Sequence, residues 1–323
     1  MHRHFLGSLC AAAAFLSGGA FAQSFPAKPI ELVVPANAGA GSDIFARVVA
    51  DIIRKEKLVP QPILINNRPG GGGAVGAAYA AQKHGDPYTV VSFPTGMMLT
   101  SKLRSGLDVG LEKFHPLALL GFDINCIMVN ADSPFKSVRE LVDAAKAQPK
   151  KINVSIGSAG SSSHMFVWTL ERLTGARFNV VIMKSGAEAV TAVLGGHVHW
   201  TTGQLTDAVP HSGAAGKMRV LAMASAQRLS SLPAIPTMKE QGLDMHVAAG
   251  RSFAAPAGIP APAAVYLENL FERVYKTADW QDYMVRNHME QVFMKGPELG
   301  RYLAARQPEF TRFMTDLGLT GKQ

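Results

Sequence analysis

The sequence contains few cysteines and no long hydrophobic run beyond its first residues, and each absence excludes a class of protein. Two cysteines in 323 residues exclude a disulfide scaffold and a zinc ribbon. After residue 22, no stretch approaches the roughly 20 apolar residues that span a bilayer without charges or Gly/Pro breaks, so we expect a soluble product. Cys126 lies in an apolar stretch, which favours an inert buried thiol. The share of hydrophobic residues, 47%, is typical of a globular protein, and the length of 323 residues is enough for two domains.

Motifs typical of catalytic and nucleotide-binding sites are also missing. Residues 157–160, Gly-Ser-Ala-Gly, lack the Gly-x-Ser-x-Gly spacing of a nucleophile elbow, and the glycines of residues 69–73 do not lead into a Walker Gly-Lys-Ser/Thr. His197, His199 and His211 could bind a metal together. No carboxylate or thiolate beside them has familiar ligand spacing, which favours hydrogen-bonded or solvated histidines. We therefore expect no metal, no cofactor and no catalytic residue.

The charge balance is basic, with 32 Lys and Arg against 24 Asp and Glu and a net charge of +8. Such a balance attracts acidic small molecules, an anionic membrane surface or nucleic acid. The lysines and arginines are scattered, without runs, interleaved aromatic residues or a nucleic-acid module. Nucleic acid is therefore the least favoured of the three partners.

The first 22 residues have the pattern of a secretory signal peptide. Arg3 precedes an apolar, alanine-rich run over residues 5–15, and residues 20–22, Ala-Phe-Ala, form a small-x-small cleavage site. A retained membrane anchor is the alternative, but residues 17–19 interrupt a run that is already shorter than the roughly 20 residues required. We expect cleavage after Ala22 and export.

Strand and helix patterns alternate in the first part of the chain. Short apolar strands alternate with an amphipathic helix and a small-residue helix, and a glycine-rich turn precedes the second helix. The predicted strands cover residues 30–35, 63–66 and 88–93, and the helices cover residues 42–57 and 74–83. This βαβαβ order is typical of a parallel sheet.

The middle of the chain repeats the alternation. Strands are predicted over residues 125–129, 151–156, 179–183 and 220–225, and a helix over residues 163–173. Three capping boxes predict further helix starts, the last of them for a short helix. They are Ser137-x-x-Glu140, Ser185-x-x-Glu188 and Thr237-x-x-Glu240. After a proline-rich crossing at residues 255–262, helical segments continue to the end. The fold class predicted is α/β, with two α/β lobes and a ligand cleft between them.

The loop at residues 35–43 follows the first predicted strand and opens the first predicted helix. Open α/β sheets place their ligands at the carboxyl ends of strands. Glycines allow close approach of the backbone to a ligand, and free amides at a helix start favour an anion such as a carboxylate. Ser42 can donate to such a ligand or cap the helix. A plain strand-to-helix turn is therefore the alternative for this loop.

A second loop, at residues 157–164, has the same position in the middle part of the chain. Four of its residues carry hydroxyl groups, which is more than helix capping needs. As in the first loop, free amides and hydroxyl groups at a helix start predict that this loop of the second lobe binds an anion. Residues 93–96, with Thr95, and residues 184–186, with Lys184, end two further strands and are additional candidates.

Short motifs in a fixed order resemble those of a known family over essentially the whole mature chain. Each is a small-residue motif of low specificity, and the signal lies in their order and spacing. They are Phe-Pro-Ala-Lys-Pro-Ile at residues 25–30, Val-Val-Pro at 33–35, the Ala-Gly-x-Gly-Ser-Asp loop, and residues 67–76, 85–89, 157–160, 184–186, 194–198 and 255–260. Together they resemble the Bug (TctC-like) receptors, which are periplasmic solute-binding proteins of tripartite tricarboxylate transporters.

The resemblance implies the fold of type II periplasmic binding proteins, in which hinge strands join two α/β lobes. It implies a signal peptide over residues 1–22, a discontinuous lobe 1 of residues 23–123 plus 250–323, and a lobe 2 of residues 124–249. Members of the family characteristically bind small carboxylates, often di- or tricarboxylates, and partner permease subunits in the inner membrane. A monomer is the family expectation.

Carried onto this chain, the resemblance also implies ligand-binding residues in the two loops and at the two further strand ends. They are Asn37, Ala38, Gly41, Ser42, Ser158, Ser161, Ser162, Ser163, Thr95 and Lys184.

Three positions depart from the family pattern. Ala40 replaces a common glycine, and His199 stands where an aspartate often occurs. Arg251 lies in a segment that contains tryptophan in many relatives, near the expected return crossing between the lobes. Its planar guanidinium could clamp a ligand carboxylate with two hydrogen bonds, or it could form a salt bridge at the hinge. The sequence leaves both roles open.

The function predicted from these observations is a periplasmic receptor that captures a small carboxylate by cleft closure and delivers it to an inner-membrane permease. One alternative is an exported serine hydrolase, with a nucleophile among residues 158–163 and His164 as base, although no orienting acid is apparent. Another is a receptor that presents its ligand to a membrane sensor.

Overall fold

The computed structural model describes residues 25–105, 109–213 and 216–321. The predicted signal peptide lies outside the described residues. Among the residues described, no helix has both the length and the apolar character needed to cross a membrane.

The first part of the chain forms three parallel strands flanked by helices, as predicted. β1 (Ile30–Val34) lies between β2 (Ile63–Asn67) and β3 (Thr89–Ser92). The helices are α1 (Gly41–Lys55), α2 (Ala74–Ala81) and α3 (Thr95–Ser105). α1 buries Phe45, Val49 and Ile53 against the sheet, because residues four apart share one face of a helix. Helix α3 was not predicted.

Two long strands connect the two parts of the fold. β4 (Phe114–Asn130) is 17 residues long, and β9 (Ala248–Pro256) lies antiparallel to it between β3 and β4. From Phe114 to Ile124, β4 pairs with β9; from Asn125 onward, it pairs with strands of the second part. β4 therefore runs from one half of the sheet into the other, and β9 pairs along its first part.

The second half of the sheet repeats the α/β arrangement. Its strands are β5 (Asn153–Ile156), β6 (Asn179–Ile182), β7 (Trp200–Gln204) and β8 (Met218–Met223), and its helices are α4 (Val138–Ala147), α5 (Ser162–Thr174), α6 (Gly186–Leu194) and α7 (Leu205–Ala208). The described strands lie in the order β2-β1-β3-β9-β4-β7-β5-β6, and β8 also pairs with β4. The α/β fold class is confirmed.

Two of the predicted capping boxes begin helices. The amide of Glu140 donates to Ser137 Oγ at the start of α4, and the amide of Glu188 donates to Ser185 Oγ at the start of α6, each at 3.2 Å. The short helix predicted after Thr237 is wrong. The hydrogen bonds of that box form, but the chain makes turns instead, and Gly242 adopts a left-handed φ of 82° that stops helical growth.

The C-terminal part adds α8 (Ala261–Tyr275), α9 (Ala278–Arg286), β10 (Met294–Lys295) and the long helix α10 (Gly296–Asp316). Leu299 and Leu303 of α10 are buried in one apolar core, while Phe313 and Met314 are buried in the core of the second half. α10 therefore packs against both halves. The lobe boundaries at residues 123/124 and 249/250 remain a prediction from the sequence.

Phe253 of β9 ties the crossing strands to the first half of the molecule. Its ring is fully buried and stacks against Phe45 of α1 at 5.1 Å and Phe271 of α8 at 4.3 Å between centroids. We predict that Phe253→Ala lowers the free energy of unfolding by about 3–5 kcal/mol, because it removes buried area and leaves a cavity. Urea unfolding measures the change.

The control is Val265→Ala on α8, whose side chain is 56% exposed and should cost less than about 0.5 kcal/mol. A loss below about 1 kcal/mol for Phe253→Ala would contradict the packing role.

Candidate functional site

A cavity of about 520 Å³ lies between the two halves of the molecule, at the carboxyl ends of β1, β3 and β5. Its size is within the range of sites for small molecules. The loop after β1 contributes Asn37 and Ala40, and the serine-rich loop after β5 contributes Ser158, Ser161 and Ser162. The two loops predicted to bind an anion therefore border one cavity.

The first loop is held in shape by the buried carboxylate of Asp43. It accepts hydrogen bonds from the Gly39 amide at 2.8 Å and from the side chains of Arg47 and Asn67, each at 2.9 Å. Burial raises the pKa of Asp43, but the hydrogen bonds from Arg47, Gly39 and Asn67 outweigh burial and lower the pKa to about 2. The carboxylate therefore stays ionised and ties the loop to α1 and β2.

Ser42 does not cap α1. The N-cap is Ala40, which has no side-chain acceptor, and the amides of Gly41 and Ser42 have no partner among the described residues. A helix start whose amides are unpaired and unshielded favours an anion. Of the predicted residues in this loop, Asn37 lines the cavity, whereas Ala38, Gly41 and Ser42 lie beside it.

The second loop presents hydroxyl groups whose orientation is fixed by neighbours. Ser161 is the N-cap of α5: its Oγ accepts from the His164 amide at 3.3 Å and donates to the carbonyl of Ser158 at 2.8 Å. Ser162 Oγ accepts from Gln204 Nε2 at 3.2 Å. Because that hydrogen bond uses a lone pair, the hydroxyl proton of Ser162 remains able to donate to a ligand.

A smaller cavity of about 320 Å³ continues beneath the serine loop. Ser158, Ser161 and Ser162 border both cavities, and the smaller one adds Ser163 and Lys184. Asp207 also lines it; burial raises the pKa of this carboxyl group, and so does the nearby Asp123. The structure thus places Lys184 away from Asn37 and Thr95, which line the larger cavity.

Thr95 fastens the start of α3 to a crossing strand. The side chain is buried, and its Oγ1 accepts from the amide of Gly250 at 3.2 Å. A Cβ atom at Gly250 would lie 2.5 Å from Thr95 Cγ2, so the close approach of the two chains requires glycine there. Thr95 is therefore both a cavity residue and a structural contact.

Arg251 joins the two crossing strands. Its Nη2 forms a salt bridge with Asp123 Oδ2 of β4, and both side chains are buried, with 16% and 7% exposed. The guanidinium also lies at the start of α1, where a Cβ on Gly41 would be 3.7 Å from Nη2. Arg251 does not line the larger cavity. Of the two roles that the sequence left open, this geometry matches the salt bridge at the hinge. A contact with ligand stays a prediction.

Comparison with protein families gives one match over most of the chain. Residues 45–319 match the model described as the tripartite tricarboxylate transporter family receptor, TctC. The chain belongs to this family. It is therefore a solute-binding receptor of the TctC family, a family of periplasmic receptors, and not an enzyme.

Curated relatives of this TctC receptor support the assignment. It is 29% identical to a UPF0065 protein of Cupriavidus necator, over 99% of both chains. It is 31% identical to protein BugT of Bordetella pertussis, over 70% of both chains.

Solved structures share its fold. A TctC solute-binding protein from Polaromonas is 28% identical, with a TM-score of 0.79 over 91% of this chain and 100% of that one. MatC from Rhodopseudomonas palustris, solved with bound malate, is 24% identical with a TM-score of 0.73 over 90% of this chain and 99% of that one. A second R. palustris protein, solved with adipate, is 24% identical with a TM-score of 0.77 over 92% and 99%.

The arrangement at His164 of the TctC receptor does not match a Ser-His catalytic pair. The Nδ1 atom accepts a hydrogen bond from the Gly160 amide at 3.1 Å, so the neutral ring carries its proton on Nε2 and has no nitrogen available to take a serine proton. Burial lowers the pKa of His164, and the ring lies edge-on to Phe313. The imidazole is a structural part of the loop, and the hydrolase alternative is wrong.

The three histidines weighed as metal ligands do not form a metal site among the described residues. His197 and His199 precede β7 rather than lying on a strand, and His199 Nδ1 accepts from the Asn153 amide at 2.9 Å. Within residues 25–105, 109–213 and 216–321, no three His, Cys, Asp or Glu groups are placed to hold a metal ion. Cys126 is fully buried, and burial raises the pKa of its thiol.

Sequence analysis missed two parts of the cavity wall. Gly70, Gly72 and Gly73 follow β2 with positive φ, and a Cβ on Gly73 would overlap Met97. The available signal was their position at the end of a parallel strand, at the same edge of the sheet as the first loop. Helix α10 contributes three further residues at a spacing of four, which indicates one helical face. They are Tyr302, Arg306 and Phe310.

We predict that Asp43→Asn destabilises the receptor because it weakens three charge-assisted hydrogen bonds. The free energy of unfolding at pH 7 should fall by about 1.5–3 kcal/mol. A carboxyl group with a lowered pKa stabilises the fold above its unfolded pKa of 3.8 and loses that effect as the pH falls through about 2. The difference between wild type and variant should therefore shrink between pH 4 and pH 2, as measured by urea unfolding at each pH.

Asp51→Asn on the same helix is the control, since Asp51 is 70% exposed and pairs with Arg54 at the surface. Equal effects of the two substitutions would refute the role of Asp43.

Proposed function

We propose that this receptor captures a small carboxylate in the cleft between its halves and delivers it to permease subunits in the inner membrane. The observation that carries the proposal is the convergence of two helix starts on one cavity. α1 approaches with Asn37 and Ala40, and α5 approaches with Ser161 and Ser162. Each helix start adds unpaired amides and the positive end of a dipole.

The charges around the larger cavity favour an anion. Its walls consist of neutral residues and one arginine, and no acidic side chain of the described residues lines it. Backbone amides and hydroxyl groups are donors, and their convergence in a partly enclosed space compensates the lost hydration of a carboxylate. An ammonium ligand would meet the same donors and the positive helix ends, which is unfavourable.

Two solved relatives add support for the ligand class. MatC contains malate and the second R. palustris protein contains adipate, and both molecules are dicarboxylates. The shared fold and family membership support a carboxylate here as well. Delivery to a permease, the monomeric state and cleavage after Ala22 complete the proposal from the family and the sequence.

Calorimetry against matched acids and amides tests the ligand class. Purified mature protein, beginning at Gln23, is titrated with succinate, malate and adipate, and separately with succinamide and adipamide. We expect binding of at least one acid and of neither amide, because the proposed site supplies donors to a negative charge. At one hundred times its dissociation constant, that acid should add about 2.7 kcal/mol to the free energy of unfolding. Equal binding of an acid and its amide would overturn the proposal.

Ser162→Ala tests the serine loop. We predict a five- to thirtyfold loss of affinity for the acid that binds, because one hydrogen bond to a charged group is worth about 1–2 kcal/mol. The stability of the free protein should change little, since Ser161 and not Ser162 caps α5.

Ser137→Ala is the matched control for Ser162→Ala. Ser137 caps α4 and is remote from both cavities, so its loss should cost about 1 kcal/mol of stability and leave affinity unchanged. If Ser162→Ala binds the acid as tightly as wild type, the serine loop does not contact the carboxylate.

A further inference from the structure

Arg306 of α10 is the one formally charged residue, among those described, that lines the 520 Å³ cavity. The rest of the wall consists of glycine, alanine, proline, hydroxyl-bearing and apolar residues together with Asn37. Its side chain is partly buried, with 27% exposed. A partly buried guanidinium is costly to desolvate where its N–H groups have no acceptor.

One end of the Arg306 guanidinium is already paired, whereas its buried Nε has no hydrogen-bond partner. Nη1 lies 3.0 Å from Glu309 Oε2, one turn further along α10, and Glu309 does not line the cavity. The Nε atom is buried and has no hydrogen-bond partner. Nε–H and Nη2–H point along the same edge of the planar group, which is the arrangement that grips a carboxylate with two parallel hydrogen bonds.

The helix that carries Arg306 is fixed to both halves of the molecule. Gln307 Nε2 donates to the carbonyl of Leu99 in α3 at 3.2 Å, and Trp168 Nε1 of α5 donates to Asp316 at 3.1 Å. Phe310 lies beneath the guanidinium, 6.0 Å from Cζ to the ring centroid. Arg306 is therefore held on a wall of the cavity that is separate from the two helix starts.

We propose that Arg306 binds a second acidic group of the ligand, while the helix starts of α1 and α5 bind the first. The inference rests on the proposed carboxylate function and adds a residue that determines specificity. A dicarboxylate satisfies both places at once, whereas a monocarboxylate of the same chain length leaves the Nε/Nη2 edge unpaired. Diacids should therefore bind more tightly than the corresponding monoacids.

Paired probes test this assignment by calorimetry: succinate with butyrate, glutarate with pentanoate, and adipate with hexanoate. The receptor should bind at least one diacid about tenfold or more tightly than its monoacid. Arg306→Gln should remove that preference by weakening diacid binding, with monoacid affinity unchanged within about twofold. Arg306→Lys keeps the charge but loses the fork, so it should retain only part of the preference.

Arg301→Gln is the matched control, because Arg301 lies on the same helix, is exposed and does not line the cavity. It should behave as wild type with every probe. Circular dichroism melting of each variant confirms that α10 and the fold persist.

Three outcomes would overturn the inference. Arg306→Gln could retain the diacid preference, or it could weaken diacid and monoacid equally, as a structural role would. The wild type could also bind the monoacid as tightly as its diacid. In each of these cases the carboxylate function itself stands, because acids still bind. If the wild type binds neither these six acids nor malate, the proposed function fails, and the assignment of Arg306 fails with it.

Discussion

The antiparallel pair of β4 and β9 connects the two halves of the receptor, and the rest of the structure depends on it. Phe122, Ile124, Cys126 and Met128 alternate along β4 into an apolar core, while Asp123 and Asn125 point to the opposite face. On that face Asp123 meets Arg251 of β9, and Asn125 Nδ2 donates to Ser163 Oγ at 3.4 Å. At these two positions the face opposite that core is polar and meets Arg251 and the serine loop, whereas Ile127 and Val129, further along the same face, are buried in the core of the second half.

The two loops above these strands, which we propose bind the ligand, are held in shape by neighbouring side chains. Asp43 fixes the first loop from behind, and Ser161, Gln204 and Asn125 fix the hydroxyl groups of the second. The groups left unpaired include donors: the amides at the start of α1 and the hydroxyl protons of Ser162 and Ser163. Preorganised donors do not have to be ordered when an anion arrives, so less of the binding free energy is lost to entropy. The hydrogen-bond donors of the two loops are therefore backbone amides and hydroxyl groups rather than formally charged side chains.

Helix α10 is a third element, besides β4 and β9, that joins the two halves. Its first turns pack with Leu299 and Leu303 in the core beside α3, and its last turns pack with Phe313 against Trp168 of α5. The helix thus spans the cleft and lines it with Tyr302, Arg306 and Phe310. Relative movement of the halves must involve this helix as well as β4 and β9, since closure of a cleft repacks every element that crosses it.

The local sequence determined the strand and helix alternation of the receptor, the capping boxes of α4 and α6, and the two loops that border the cavity. Each follows from interactions between residues a few positions apart: hydrophobic period, an N-cap hydroxyl, a glycine that permits a turn. Tertiary structure decided what depends on distant partners. β4 extends back to Phe114, despite Pro116 and Gly121, because β9 pairs with it. Arg251 faces Asp123, 128 positions away, and Arg306 reaches the cavity because α10 packs on α3. No local pattern encodes such contacts, since they arise only when the sheet brings remote segments together.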